Sequence, residues 1–140
     1  MKSIKVICDG GYRSTLDKGA WAYVIVDADN DNILTRDSGV IRNATNNIAE
    51  YLSVISAIKA CKDIDFGSVE IVSDSQLVIS QIAKGWKINN VRLKELHSEV
   101  MKLGKEVFGD AFVKFAWSSR ENPWNKIVDK MCDDAIERGE

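Results

Sequence analysis

Residues 69 to 82, VEIVSDSQLVISQI, pass from strand to helix within three residues. Val69, Ile71 and Val72 form an apolar, β-branched run. Ser73-Asp74-Ser75 interrupts it, and Leu77, Val78 and Ile82 resume at helical spacing. A helix that follows a strand at once returns the chain for a parallel neighbour, and such crossovers are nearly always right-handed. The stretch also leaves a carboxylate where a strand ends. Helix capping is one reason for it, because Asp and Ser accept hydrogen bonds from the free N–H groups of a first turn.

The other segments set the frame around it. IKVIC, residues 4 to 8, reads as a strand ending at Asp9-Gly10-Gly11, where glycines permit a turn. Runs near 20 to 26 and 33 to 40, joined by DADNDN, read as a hairpin, so the chain opens as an antiparallel meander. From 46 to 61, Ile48, Leu52, Ile55 and Ile58 recur at three- and four-residue steps, predicting an amphipathic helix capped by Thr45 or Asn46. After the polar connector AKGWKINN, a helix over roughly 91 to 108 carries Leu93, Leu96, Val100, Leu103 and Val107 on one stripe. FVKFAW, residues 112 to 117, is a last strand, and Val128, Met131, Cys132 and Ala135 mark a helix from Trp124 to Glu137. The order β-β-β-α-β-α-α-β-α predicts an α/β fold with a mixed sheet. Strands one, four and five are parallel, and a usable crevice lies beyond their carboxyl ends.

A chain of 140 residues, 45% hydrophobic and 29% charged, fits a single domain over 1–140. No apolar run nears the ~20 residues of a membrane helix, and MKSIKVICDGG lacks a signal peptide's cleavage region, so a cytoplasmic protein is expected. Cys8, Cys61 and Cys132 are widely spaced and read as buried thiols, not as a disulfide or zinc framework. A net charge of −2 argues against a protein that coats nucleic acid electrostatically. Between Lys84 and Glu106 six basic residues face three acidic ones, which reads as a solvated helix face.

The acids are more informative. Asp9 follows the first strand and Asp74 the fourth; as parallel neighbours these strands would deliver both carboxylates to one rim. Glu50 lies one turn into the first long helix, on the flank of its apolar stripe. Asp129 holds a similar place in the last helix, beside Val128 and Cys132. Four carboxylates in a partly desolvated pocket repel one another unless a cation joins them. An all-oxygen set without Cys or His selects hard ions such as Mg²⁺ or Mn²⁺, and it can hold two of them for in-line displacement at phosphorus.

The segments CDGG, TNNIAEYLSVISAI, IVSDSQLVISQI, GWK and SRENPWNKIVDKMCDDA, in this order and spacing, resemble the ribonuclease H family in its prokaryotic type 1 branch, over almost the whole chain. The resemblance implies a five-stranded mixed sheet with helices on both faces. It also implies an endonuclease that cuts the RNA strand of RNA–DNA hybrids with two Mg²⁺ or Mn²⁺ ions, leaving 5′-phosphate and 3′-hydroxyl ends. Asp9, Glu50, Asp74 and Asp129 then resemble the metal-binding, catalytic carboxylates, the spacing from Asn125 selecting Asp129 over Asp133 and Asp134. Asp74 would cap its helix only incidentally.

Gly10, Gly11, Thr45, Asn46, Asn47 and Gln76 occupy positions that in such proteins meet the hybrid. Short polar side chains suit a wide minor groove that displays 2′-hydroxyls. Trp86 and Lys87 would touch the DNA strand. Arg120 stands in a loop where many relatives carry a mobile histidine, and the sole histidine, His97, reads as structural. The connector 83 to 90 is too short for the basic protrusion of some relatives, and YRSTLDKGAW lacks their Asn-Pro-Gly turn. The partner implied is the hybrid alone, with no membrane and no obligate protein partner, for a monomer. Readings of another class are a non-catalytic nucleic-acid-binding module and a nuclease of the same fold that cuts DNA or structured RNA.

Overall fold

In the computed structural model, which describes residues 2–139, the strands are β1 (Ser3–Arg13), β2 (Lys18–Asp27), β3 (Ile33–Ile41), β4 (Ser68–Ser73) and β5 (Phe112–Trp117). The helices are α1 (Asn46–Ala60), α2 (Gln76–Ala83), α3 (Val91–Phe108) and α4 (Pro123–Arg138). The sheet order is β3-β2-β1-β4-β5. β1, β2 and β3 pair antiparallel, whereas β4 runs parallel to both β1 and β5, which is the mixed sheet the element order predicts.

Both faces of this sheet are covered, so the central strands are apolar on both sides and not alternating. Ile4, Val6 and Cys8 of β1, with Ile25, Val69 and Ile71, pack against Tyr51, Val54 and Ile58 of α1 and Leu96 and Val100 of α3. Ile7 turns to the opposite face with Ala22, Val24 and Val26, where Val128, Cys132 and Ala135 of α4 close over them. Cys8, Cys61 and Cys132 are free, buried thiols, as read from their spacing. Among the described residues no helix is long and apolar enough to cross a membrane.

Two local expectations fail. The first strand does not end at Asp9-Gly10-Gly11 but runs on to Arg13. Its antiparallel partner β2 stays paired from Ile4↔Asp27 to Arg13↔Lys18, while the parallel ladder to β4 stops at Ile7↔Val72. Asp9 therefore lies in mid-strand, just past the point where its parallel neighbour leaves. Nor do the glycines make a turn, since neither is among the residues with positive φ. Gly10 is needed for another reason: a Cβ there would sit 2.1 Å from the Ala49 carbonyl oxygen and 2.7 Å from the Glu50 nitrogen.

The second failure concerns α1. Its buried set includes Ala49, Glu50, Tyr51, Val54, Ala57 and Ile58, whereas Ile48 and Leu52 of the expected stripe are only partly buried. The helix is enclosed by the sheet on one side and α3 on another, so a single-stripe reading displaces its buried face. Glu50 consequently lies inside, not on the flank.

Gly10→Ala should destabilise the protein by about 2 kcal/mol or more, because backbone atoms of α1 cannot yield as a side chain could. Gly11→Ala should be close to neutral, since nothing lies within 4 Å of a Cβ there. Urea unfolding midpoints of the two variants check the contrast.

Candidate active site

The close approach at Gly10 brings the start of α1 over the end of the parallel ladder. Asp9 from β1, Glu50 from α1 and Asp74 from the end of β4 thereby offer carboxylate oxygens that all lie within 4.8 Å of one another. Asp9 is only 6% exposed and Glu50 7%. One backbone N–H serves both: that of Gly10 donates to Asp9 Oδ1 at 2.9 Å and to Glu50 Oε1.

Burial pushes the Asp9 carboxyl far above the usual carboxylate range, and the neighbouring Glu50 charge adds to the rise. Glu50 is raised as well, again chiefly by burial. The thiols of Cys8 and Cys132 flank this strand, and burial holds both above their ordinary value, so they stay protonated. The donor set is therefore all carboxylate oxygen, and it fits a hard divalent cation.

Asp74 is not a cap, incidental or otherwise. Ser75 is the N-cap of α2, its Oγ accepting from Val78 N–H at 3.2 Å, and Ser73 Oγ accepts from Ser75 N–H at 3.0 Å. With the capping done by serines, the Asp74 carboxylate is left to the cleft. Its carbonyl oxygen accepts from the Trp117 indole N–H at 3.1 Å, which ties the end of β4 to the end of β5. Its Oδ2 lies 3.6 Å from Arg120 Nε, and the Arg120 side chain is otherwise 83% exposed. The adjacent Glu121 pairs with Lys126. The loop bearing Arg120 is held from beneath by buried Asn125, whose Nδ2 donates to the carbonyls of Ser118 and Ser119.

A cleft of about 280 Å³ opens above these groups, lined by the three acids with Gly10, Gly11, Asn46, Asn47, Arg120 and Asp129. Asp129 lies on the exposed side of α4; it borders the cleft without joining the close group of three. Ser75 also lines the cleft and was missed as a site residue, although the Ser-Asp-Ser motif carried the signal.

The remaining sequence candidates fall outside the lining. Thr45 is the N-cap of α1, its Oγ1 accepting from Ile48 N–H at 3.2 Å. Gln76 is an exposed first residue of α2, and Trp86 and Lys87 are exposed in the connector that follows. Asn46 has a structural task besides lining the cleft: its Oδ1 accepts from Tyr12 N–H at 2.8 Å. His97, as its sequence position suggests, makes an internal contact, with Nε2 3.2 Å from the Gln81 carbonyl oxygen.

Residues 7–135 match the family model described as reverse transcriptase-like. A ribonuclease H of Treponema denticola is 27% identical, the alignment covering 97% of this chain and 98% of that one. A bifunctional protein of Mycobacterium tuberculosis is 25% identical over 96% of this chain, which spans only 35% of that longer relative. Among solved structures, LC11-RNase H1 in complex with RNA/DNA hybrid superposes with a TM-score of 0.86 at 26% identity, covering 97% of this chain and 98% of that one.

Raised carboxyl values give a definite sign to the pH dependence of the metal-free protein. The folded chain keeps protons that the unfolded chain releases above about pH 4, so stability falls as pH rises from there toward the folded values. Asp9→Asn removes part of that penalty. In chelator at pH 8 its melting temperature should exceed that of wild type by a few degrees, and the gap should close toward pH 4, as thermal unfolding at the two pH values will read.

Proposed function

The chain belongs to the reverse transcriptase-like family and carries an RNase H-like domain, and on that premise we propose that it is a metal-dependent endonuclease hydrolysing the RNA strand of RNA–DNA hybrids, with 5′-phosphate and 3′-hydroxyl products. The observation that carries this reading is the group of three buried or nearly buried carboxylates at the mouth of a polar cleft. Such a cluster costs stability in a metal-free fold, and a non-catalytic binding module has no use for it. The ribonuclease H relative from Treponema and the hybrid complex of LC11-RNase H1 support the choice of substrate.

In this reading Asp9, Glu50 and Asp74 hold Mg²⁺ or Mn²⁺, two ions when substrate is present, and Asp129 completes the set from the cleft wall. Ions bound there supply an activated water and stabilise the leaving 3′ oxygen. The shared Gly10 N–H fixes the Asp9 and Glu50 oxygens before substrate arrives, so little reorganisation is needed. Arg120 presents a positive charge beside Asp74, from where it can turn to the scissile phosphate. Asn46 and Asn47 address the minor groove with the Gly10-Gly11 backbone beside them, selecting by 2′-hydroxyl and shape and not by sequence. Thr45, Gln76, Trp86 and Lys87 meet the duplex beyond the cleft. Residues 1–140 act as one catalytic domain, a monomer in the cytoplasm.

The test is to incubate labelled hybrid, duplex RNA, duplex DNA and single-stranded RNA with Mg²⁺, Mn²⁺ or chelator. Cleavage of the RNA strand of hybrid with either ion, and none in chelator, is expected; cleavage restricted to DNA or duplex RNA would contradict the reading. Asp74→Asn should lower turnover about a thousandfold while the fold and the Ser75 cap persist. Arg120→Ala should slow cleavage about tenfold without moving the pH profile. His97→Ala should leave that profile unchanged.

A further inference from the structure

The turn after β1 is closed by a side chain that the proposed reaction does not use. Asp17 sits at φ 45°, left-handed, at the end of the 3₁₀ turn Ser14–Leu16. Its Oδ1 accepts from two directions: from the Tyr12 hydroxyl on β1 and from the Asn43 N–H at 2.8 Å, in the connector between β3 and α1. Asn43 is itself left-handed, at φ 54°, so this bond secures a bend that a non-glycine residue adopts at some cost. Arg42 of the same connector donates to the Asp17 carbonyl oxygen at 3.4 Å. Tyr12 then closes the loop of contacts through its own N–H, which donates to Asn46 Oδ1.

Gly19 makes the arrangement possible. A Cβ at Gly19 would lie 2.8 Å from Tyr12 Cδ1 and 2.4 Å from the Gly11 carbonyl oxygen, so only glycine lets the Tyr12 ring lie down beside β2. Asp17 is thus bonded to both segments that flank the cleft on this side: β1 beyond Gly11, and the connector that delivers Asn46 and Asn47. Its carboxyl is held below the ordinary range by the Tyr12 hydroxyl first and the Asn43 N–H second.

We infer that Asp17, acting through Tyr12 and Asn43, is a positioning residue for substrate recognition: it clasps the β1–β2 turn to the β3–α1 connector and sets the spacing of Asn46 and Asn47 that fits the minor groove of an RNA–DNA hybrid. The clasp bears on affinity and substrate choice and leaves the carboxylate cluster alone, because none of its hydrogen bonds reaches Asp9, Glu50 or Asp74.

Asp17→Gly removes the acceptor while easing the left-handed backbone, and Asp17→Asn keeps an acceptor oxygen in a residue that tolerates that backbone. Asp17→Gly should raise KM for hybrid about tenfold with kcat within about twofold of wild type, and Asp17→Asn should restore most of the loss. In a double-mutant cycle, Asp17→Gly should add little to Asn46→Ala, because the one acts through the other. The clasp is overturned by an unchanged KM in Asp17→Gly, by an equal fall in kcat, or by additive effects in the cycle. The inference rests on hybrid being the substrate, and the two fail separately. Wild-type protein that leaves hybrid uncut contradicts the cleavage reading. Hybrid affinity from fluorescence anisotropy, compared between wild type and Asp17→Gly, judges the clasp in either case: equal affinities overturn it and a weaker variant supports it.

Discussion

Two backbones meet at Gly10, and the site exists because nothing stands between them. The carbonyl of Ala49 occupies the space where any side chain at position 10 would begin, so the first turn of α1 rests directly on the central strand. That contact lies just beyond Ile7↔Val72, where β4 stops pairing with β1 and Asp74 leaves the sheet. Strand end, helix start and mid-strand carboxylate thus converge without any long side chain reaching across a gap. Rigid elements hold each acid, which is the condition under which a site keeps its geometry.

The same proximity has an electrostatic consequence. Asp9 and Glu50 are taken out of water together and share one N–H donor, so neither is comfortable as an anion. Asp74 is relieved by Arg120, yet that guanidinium is mostly in solvent, and such a pair contributes little to stability. The imbalance is concentrated on Asp9 and Glu50, the more deeply buried members of the three. Under the proposed function this is where a divalent cation gains most. The flanking thiols, kept neutral by burial, add no competing soft ligand.

Much of this was legible in the amino-acid order, for reasons that differ by element. The bounds of α3 and β5 follow from strong periodicity and clear breakers on either side, and 91 to 108 and 112 to 117 stand as read. The end of β1 was not legible, because Asp-Gly-Gly carries the local signature of a turn while the need for Gly10 is tertiary. Among Ser73, Asp74 and Ser75, each a competent cap, only the backbone geometry decides for Ser75. A single-stripe reading puts Glu50 on the flank because it allows one covered face, whereas α1 is covered from two sides. Motif spacing named the acids Asp9, Glu50, Asp74 and Asp129, but it could not tell that Asp129 stands apart from the other three. Gln76, Trp86 and Lys87, named only from their positions in the family resemblance, are exposed and do not line the cleft.

The central claim is that the charge of Asp9, Glu50 and Asp74 is made to be balanced by a divalent ion. Titration of Mn²⁺ followed by electron paramagnetic resonance, which distinguishes free from bound ion, measures this without reference to turnover. Wild-type protein is expected to bind Mn²⁺ and Glu50→Gln to lose most of that binding, while Gln76→Ala, altered outside the cleft, keeps it. Equal Mn²⁺ binding by wild type and Glu50→Gln, or no binding by wild type, would contradict the claim.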